Sequence, residues 1–542
     1  MADSQLETLK SLEGASFGKK LGTYAKMSGP GWLQAAVTLG GGSLIGALYL
    51  GVIGGYQFMW LQPLAMLVGI IMLSAIAYVT LSSEQRPFRL VEKHVSPLLA
   101  WAWLIATIIA DVVFCSAQFQ LGLGAMKNNL GVDINDFVIT GIFALVSVGL
   151  LYSFISGGAL GRAVENFLKI LVALVVLSFM GVVITLSIKG EIPWGSIFAG
   201  LIPNPADLFR PAEGFTETIA STGDNAPFWT GYIEGNVQNN VIAAFGAAVG
   251  INMTFLLPYT LKKRGWGKPH RELSRYDLAL GLFVPFILAT SFLVIAASSQ
   301  FHAQSKDIFN EDGSVKASSA GEYSKVLTKA LTHQSVEIPA AATPADVFAL
   351  AEAELSPADR ELAAQLVKRN ANSLASSLEP FLGKAAQPIF GIGVLAMAIS
   401  TMLVHMMMNG YAVSEAFNKP GQKALFMVGA VIPAITGFLS PVLMKGETKA
   451  ALMIPTIVIA FSFLPIAYFT LLLLMNSRKA LGDALPKKRG LMNLLLWFCF
   501  GISALGCIWK LKTLGTLGMV GIGALFLLII LGAISFVRRE RG

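Results

Sequence analysis

The chain has 542 residues, of which 54% are hydrophobic and only 13% charged, whereas a soluble globular chain carries roughly 25% charged residues. So much apolar surface excludes a soluble domain and calls for lipid; backbone groups cannot stay unpaired there, so the apolar runs must be helical, and a β-barrel is excluded because its strands would alternate polar and apolar residues. The net charge of +8 belongs to the loops and reads as a membrane-orientation signal, not as a footprint for nucleic acid.

In chain order, residues 1–28 are polar and the first apolar run begins near Gly31, so the segment reads as a solvated cytoplasmic tail and not as a cleaved signal peptide. Membrane helices are expected at about 30–52, 57–81, 97–125, 136–155, 164–188, 236–261, 276–300, 386–416, 424–442, 449–475, 491–509 and 514–537. Runs of this kind approach or exceed the ~20 residues that span a bilayer core. With the N-terminus inside, the inner loops collect Lys10, Lys19, Lys20, Arg86, Arg89, Lys262, Lys263, Arg264, Lys487, Lys488, Arg489, Arg538 and Arg539. The short outer loops hold far fewer cations, which favours about twelve spans, both termini cytoplasmic and a place in the cell (inner) membrane.

The expected organisation is a 1–28 tail; 29–300 with seven spans and an outer loop at 189–235; an extracytoplasmic, partly helical insertion at 301–385; 386–476 with three spans; and 477–542 with the last two spans and a basic tail. Within the insertion, Thr343-Pro344-Ala345-Asp346 and Ser356-Pro357-Ala358-Asp359 are near-identical helix starts, each with a hydroxyl N-cap, Pro at the first helical position and an acid in the first turn. The insertion is either a solvated decoration or a lid or docking piece. The three cysteines, Cys115, Cys499 and Cys507, lie in expected spans and read as small apolar filler; no disulfide framework, metal-thiolate site or cofactor is expected.

Two spans contain weak points. Gly40-Gly41-Gly42-Ser43 interrupts the first, and three glycines, each costing about 1 kcal/mol relative to Ala, argue for an unwound turn. The sixth has Gly246, Gly250, Asn252 and Thr254 in mid-span. First and sixth are corresponding positions if spans 1–5 and 6–10 form inverted repeats, an architecture that binds substrate and coupling ions at broken helices near the midplane. Close helix packing is the competing reason for the glycines. Around the breaks, Gln34, Thr38, Ser43, Asn252 and Thr254 form a neutral polar set. It suits a hydrogen-bonding solute or a weakly solvated ion, while glycine amides at a half-helix N-terminus suit an anion or carboxylate.

Ionisable groups in lipid call for a function. Asp111, near the middle of the third span, and His405 in the eighth are candidates for a proton route, with a neutral, hydrogen-bonded histidine as the alternative. Asp277 and Glu415 lie near span ends and are expected to be interfacial and solvated. Met402, Met406, Met407 and Met408 read as adaptable packing.

Gly29-Pro30-Gly31-Trp32-Leu33, Ala106-Thr107 with Ala110-Asp111-Val112, Phe301-His302-Ala303, Phe390-Gly391 with Leu395-Ala396 and Ser400-Thr401, and Leu464-Pro465 together resemble the Nramp family of divalent-metal transporters. The resemblance covers roughly 28–476 outside the two long loops. It implies an all-α membrane protein with a LeuT-like fold, a 5+5 inverted repeat broken in helices 1 and 6, and secondary transport without an enzyme's chemistry. It also implies that Ser400 and Thr401 match a sodium site of that fold, and that Asp111 falls on a proton route whose second acid is replaced by Ile108. Where that family binds manganese or iron with Asp-Pro-Gly-Asn, this chain has Gly40 to Ser43, and its Met-Pro-His-Asn aligns with Gly250, Ile251, Asn252 and Met253. A bare divalent ion needs carboxylate or comparable donors. The expectation is therefore a transporter of an ion or small polar solute, driven by protons or sodium, without the usual high-affinity metal site. A small anion or carboxylated solute, and a transport-inactive transceptor or assembly partner, are the alternatives.

Overall fold

The computed structural model describes residues 2–12, 14–156, 158–369, 383–443 and 461–541. Among these the chain is helical almost throughout, with one isolated bridge, Phe309 to Val315, as its only β pairing. Eight helices are long and apolar enough to cross a bilayer, and the bent pair Pro30–Thr38 and Gly41–Gly54 makes a ninth. Gly158–Ile188, Lys423–Phe438 and Leu464–Asn476 complete the expected set. The start of the span expected at 449–475, as far as 460, and the 370–382 part of the insertion lie outside the described residues. Peripheral side chains such as Leu145, Leu505 and Leu517 are more than two-thirds exposed, as helices that face lipid require.

The opening Gly-Pro-Gly turn has a physical cause. Asp277, from the seventh span, points both carboxylate oxygens at the start of the first. Oδ1 accepts from the Ser28 hydroxyl at 2.5 Å and the Gly29 amide at 2.7 Å, and Oδ2 accepts from the Gly31 amide at 2.6 Å. A helix start leaves amides unsatisfied, and here a neighbouring helix supplies the cap. The approach is so close that a Cβ on Gly31 would lie 2.1 Å from the Asp277 carbonyl oxygen. Pro30, at the first helical position, has no amide to satisfy. Asp277 is 1% exposed, so the expectation of a solvated interfacial acid fails there. It fails for Glu415 as well, which is fully buried and lies 2.8 Å from Arg86 Nε and 3.0 Å from Arg89 Nε.

Both expected breaks are present. The first span bends by 54° between Thr38 and Gly41, with Gly40 in extended backbone at φ −76° and ψ 179°. That conformation suits any residue; what a side chain would meet is crowding. A Cβ on Gly40 would meet Thr401 Oγ1 at 3.2 Å and the Val37 carbonyl oxygen at 3.0 Å, and one on Gly41 would meet Leu121 Cδ2 at 2.3 Å. The chain is thus unwound at Gly40, and Gly40 and Gly41 are also closely packed. The sixth span stops at Ala248 and resumes as Met253–Lys263, with Val249 extended and the Asn252 side chain accepting from the Met253 amide at 3.1 Å.

The insertion is a packed piece. Its helices are Ala317–His333, Pro344–Glu354 and Pro357–Gln365, the last two starting with full capping boxes. Hydrogen bonds from Thr343 hold the Asp346 carboxyl below the usual carboxylate range. Asp359 serves as a cap and a clamp together: it accepts from Trp229 Nε1 at 2.6 Å and Asn225 Nδ2 at 3.0 Å, at the head of the sixth span. The Tyr49 hydroxyl, on the second half of the first span, donates to the Leu366 carbonyl at 3.4 Å. Leu362, Ala363 and Ala364 are fully buried, so this part of the insertion has a packed interior of its own.

Candidate functional site

The two breaks cross. Thr38, the last residue before the first break, donates to the Ala248 carbonyl at 3.1 Å and lies 3.5 Å from Met253 Sδ. It therefore touches both lips of the sixth-span break. Gln34, one turn earlier, reaches the Met253 carbonyl at 3.4 Å through Nε2, while its Oε1 is buried without a protein partner. Across the break, Ser43 Oγ donates to the Ala247 carbonyl at 3.1 Å. The Gly41 amide donates to Gln118 Oε1 at 3.3 Å. A Cβ on Gly42 would meet nothing within 4 Å. These groups are neutral, and most are buried.

The charge sits at the other break. Asp111 is fully buried; its Oδ1 accepts from Asn252 Nδ2 at 2.8 Å and faces His405 Nδ1 at 3.0 Å. Its second oxygen, Oδ2, has no protein partner. A buried carboxylate is costly unless it is paired or protonated. Asn252 Nδ2 also lies 3.3 Å from His405 Nδ1, so the amide, the carboxyl and the imidazole meet at one point, and a proton on either Nδ1 or Oδ1 would make the acid–histidine contact a hydrogen bond. Phe114 stacks on the imidazole with ring centroids 5.6 Å apart. Gly250 is glycine because the Asn252 amide folds back over it: a Cβ there would lie 2.4 Å from Asn252 Oδ1.

The hydroxyl pair of the eighth span divides. Ser400 donates to the Met397 carbonyl of its own helix at 2.7 Å. Thr401 has two acceptors at 2.9 Å, the Met397 carbonyl and the Ala36 carbonyl of the first span, so it combines back-bonding with a contact to the first span. Thr254 is turned away into a pair with Trp103 Nε1 at 2.8 Å. Trp103 and Gln118 were missing from the sequence reading. Both sit on the Asp111 stripe of the third span, eight residues before it and seven after, and helical periodicity would have found them. Met402, Met406, Met407 and Met408 are fully buried in one apolar cluster, as packing residues.

Comparison with known proteins decides the family. The family model described as natural resistance-associated macrophage protein-like, Nramp, matches residues 31–336 and 345–513. The chain belongs to the Nramp family. Its fold is similar to that of an Eremococcus coleocola manganese transporter, solved in complex with an aromatic bis-isothiourea substituted compound, at 15% identity, 97% coverage of both chains and a TM-score of 0.65. A mutant of the same transporter gives 15% identity, the same coverage and a TM-score of 0.66. A search of curated proteins finds no match. As a member of the Nramp family this is an integral membrane transporter with a LeuT-like fold, and the family's members are transporters and not enzymes.

Proposed function

We propose that this Nramp-family chain is a secondary active transporter that carries an ion or small polar solute past the crossing of its two broken helices, coupled to a proton held between Asp111 and His405. The observation that carries this reading is the contact of Thr38 with both lips of the sixth-span break, with Asp111, Asn252 and His405 joined at that same break. Half-helix ends that meet in mid-membrane are where this architecture binds cargo.

The donors at the crossing argue against the usual high-affinity manganese or iron site. Gln34, Thr38 and Ser43 are neutral, Met253 contributes a thioether, and the one carboxylate near them among the described residues, Asp111, is already engaged by Asn252 and His405. A hard divalent ion requires more anionic oxygen than that. One helix-start amide, that of Gly41, is already bonded to Gln118 Oε1 at 3.3 Å, which leaves an anion one donor fewer there. In the same reading the cell (inner) membrane holds the chain with both termini and the basic loops inside and the insertion outside. Residues 29–300 and 386–476 then carry the ten-helix repeat core. The test is uptake into proteoliposomes under an inward proton gradient, with manganese, cadmium, magnesium, sodium, chloride and amino acids as separate cargoes. Gradient-dependent accumulation of one of them is expected. Saturable manganese uptake at micromolar concentration would overturn the argument from the donors.

A further inference from the structure

Below the site, on the face that carries the basic loops, a cavity of about 400 Å³ is lined by Arg86, Tyr259, Lys262, Tyr411, Ser414 and Phe426, among others. Tyr259 lies seven residues past Asn252 on the sixth span, and Tyr411 six residues past His405 on the eighth. At 1.5 Å per residue both residues therefore stand about 10 Å further along their helices than the residues that hold Asp111, toward the cavity that they line. They stack on each other with centroids 4.6 Å apart and planes at 10°. Phe426 meets Tyr411 edge-on at 5.0 Å, and Phe255 stacks on Tyr259 at 6.4 Å. Phe255, Tyr259, Tyr411 and Phe426 thus form a continuous aromatic column, three of whose rings line the cavity.

One acid is bonded to that column. The Tyr259 hydroxyl donates to Glu415 Oε2. Glu415, on the eighth span, is itself fixed by Arg86 and Arg89 from the link between the second and third spans, and Arg89 also donates to the Glu415 carbonyl at 2.8 Å. Tyr259 rides on the half-helix that begins at the 249–252 break, whereas Glu415 and Tyr411 belong to an unbroken helix. A swing of the half-helix about its break must part both the ring stack and the hydroxyl-carboxylate bond. Ser414 Oγ, beside the stack, is buried with no partner and becomes wetted when the rings part.

We propose that Glu415 is the latch of a gate on this face: its carboxylate positions Tyr259 against Tyr411 and so seals the Asp111 cluster from the cavity. The test measures the distance between spin labels on Lys263→Cys and Lys423→Cys, which line the cavity from two different helices, Met253–Lys263 and Lys423–Phe438, in full-length protein whose three native cysteines are replaced by serine, with no cargo present. The otherwise native protein is expected to populate a short distance. Glu415→Gln and Tyr259→Phe are expected to move the ratio of short to long distances by about tenfold, which is the effect of ~1.4 kcal/mol. An unchanged distribution in Tyr259→Phe, which keeps the ring and removes only the hydroxyl, would sink the latch even if Glu415→Gln fails to fold. A lowered melting temperature with unchanged distances would reduce Glu415 to a structural ion pair and overturn the proposal. Because no transport is measured, its failure leaves the transport reading untouched, and the reverse holds too.

Discussion

The two broken spans solve one problem with opposite materials. In the first, the break is made of glycine: Gly40 and Gly41 leave room for Thr401 and Leu121, and the polar groups around them are amides, carbonyls and hydroxyls. In the second, the break is organised by a side chain, Asn252, which caps the following half-helix and holds the one buried carboxylate of the site. The first break is shaped by space and the second by charge. Perturbing them should therefore produce different symptoms.

Asp111→Asn should have the largest effect. It keeps the size and the hydrogen bond from Asn252 but removes the proton-binding oxygen pair. Gradient-driven uptake is expected to fall by about a hundredfold, the scale on which loss of a proton-transfer group acts, while cargo exchange without a gradient persists. If Gly40→Val harmed uptake more than Asp111→Asn, the division between space and charge would be wrong.

Next come the glycines. Gly250→Ala pushes a methyl against Asn252 Oδ1, 2.4 Å from the ideal Cβ, and so should injure the Asp111 cluster through its positioning residue. Gly40→Val presses on Thr401 and the Val37 carbonyl. Overpacking of either kind costs about 1–3 kcal/mol. Thermal unfolding in detergent should show similar losses for the two, whereas proton dependence of uptake should shift only for Gly250→Ala.

Much of this was legible in the sequence, because glycine runs and in-membrane polar residues are local signals. The capping boxes at Thr343 and Ser356, the two breaks, and the candidacy of Asp111 and His405 all followed from short windows. What was hidden depends on contacts hundreds of residues apart. Asp277 caps a helix start nearly 250 positions earlier, and Glu415 is buried by Arg86 and Arg89 across more than 320; a single acid near a span end looks the same whether it meets water or a partner. The anchorage of the insertion was hidden for the same reason, since Asp359 finds Trp229 on a different element.

Thr401→Val is a smaller perturbation. It removes the bond to the Ala36 carbonyl, and a net loss of about 0.5–1.5 kcal/mol is expected in unfolding measurements. Uptake that remains unchanged in sodium-free buffer for both native protein and variant would leave Thr401 as a packing contact between the first and eighth spans. A sodium requirement that disappears in the variant would place a cation between that hydroxyl and the first-span carbonyls, and would give the glycine break a charge of its own.

The smallest effect is expected at Gly42, and it is the most discriminating. Its neighbours Gly40 and Gly41 are hemmed in, but a Cβ on Gly42 would meet nothing within 4 Å, and the residue lies in the first turn of Gly41–Gly54. Alanine is the better helix former by up to about 1 kcal/mol, so Gly42→Ala should leave the melting temperature unchanged or slightly raised. Protein atoms therefore give no reason for glycine at this position. If uptake survives in Gly42→Ala, the third glycine of the run is incidental and the break needs only two. If uptake is lost while the protein stays folded, the empty space beside Gly42 is the path itself, and the cargo passes close enough to the backbone for one methyl group to obstruct it.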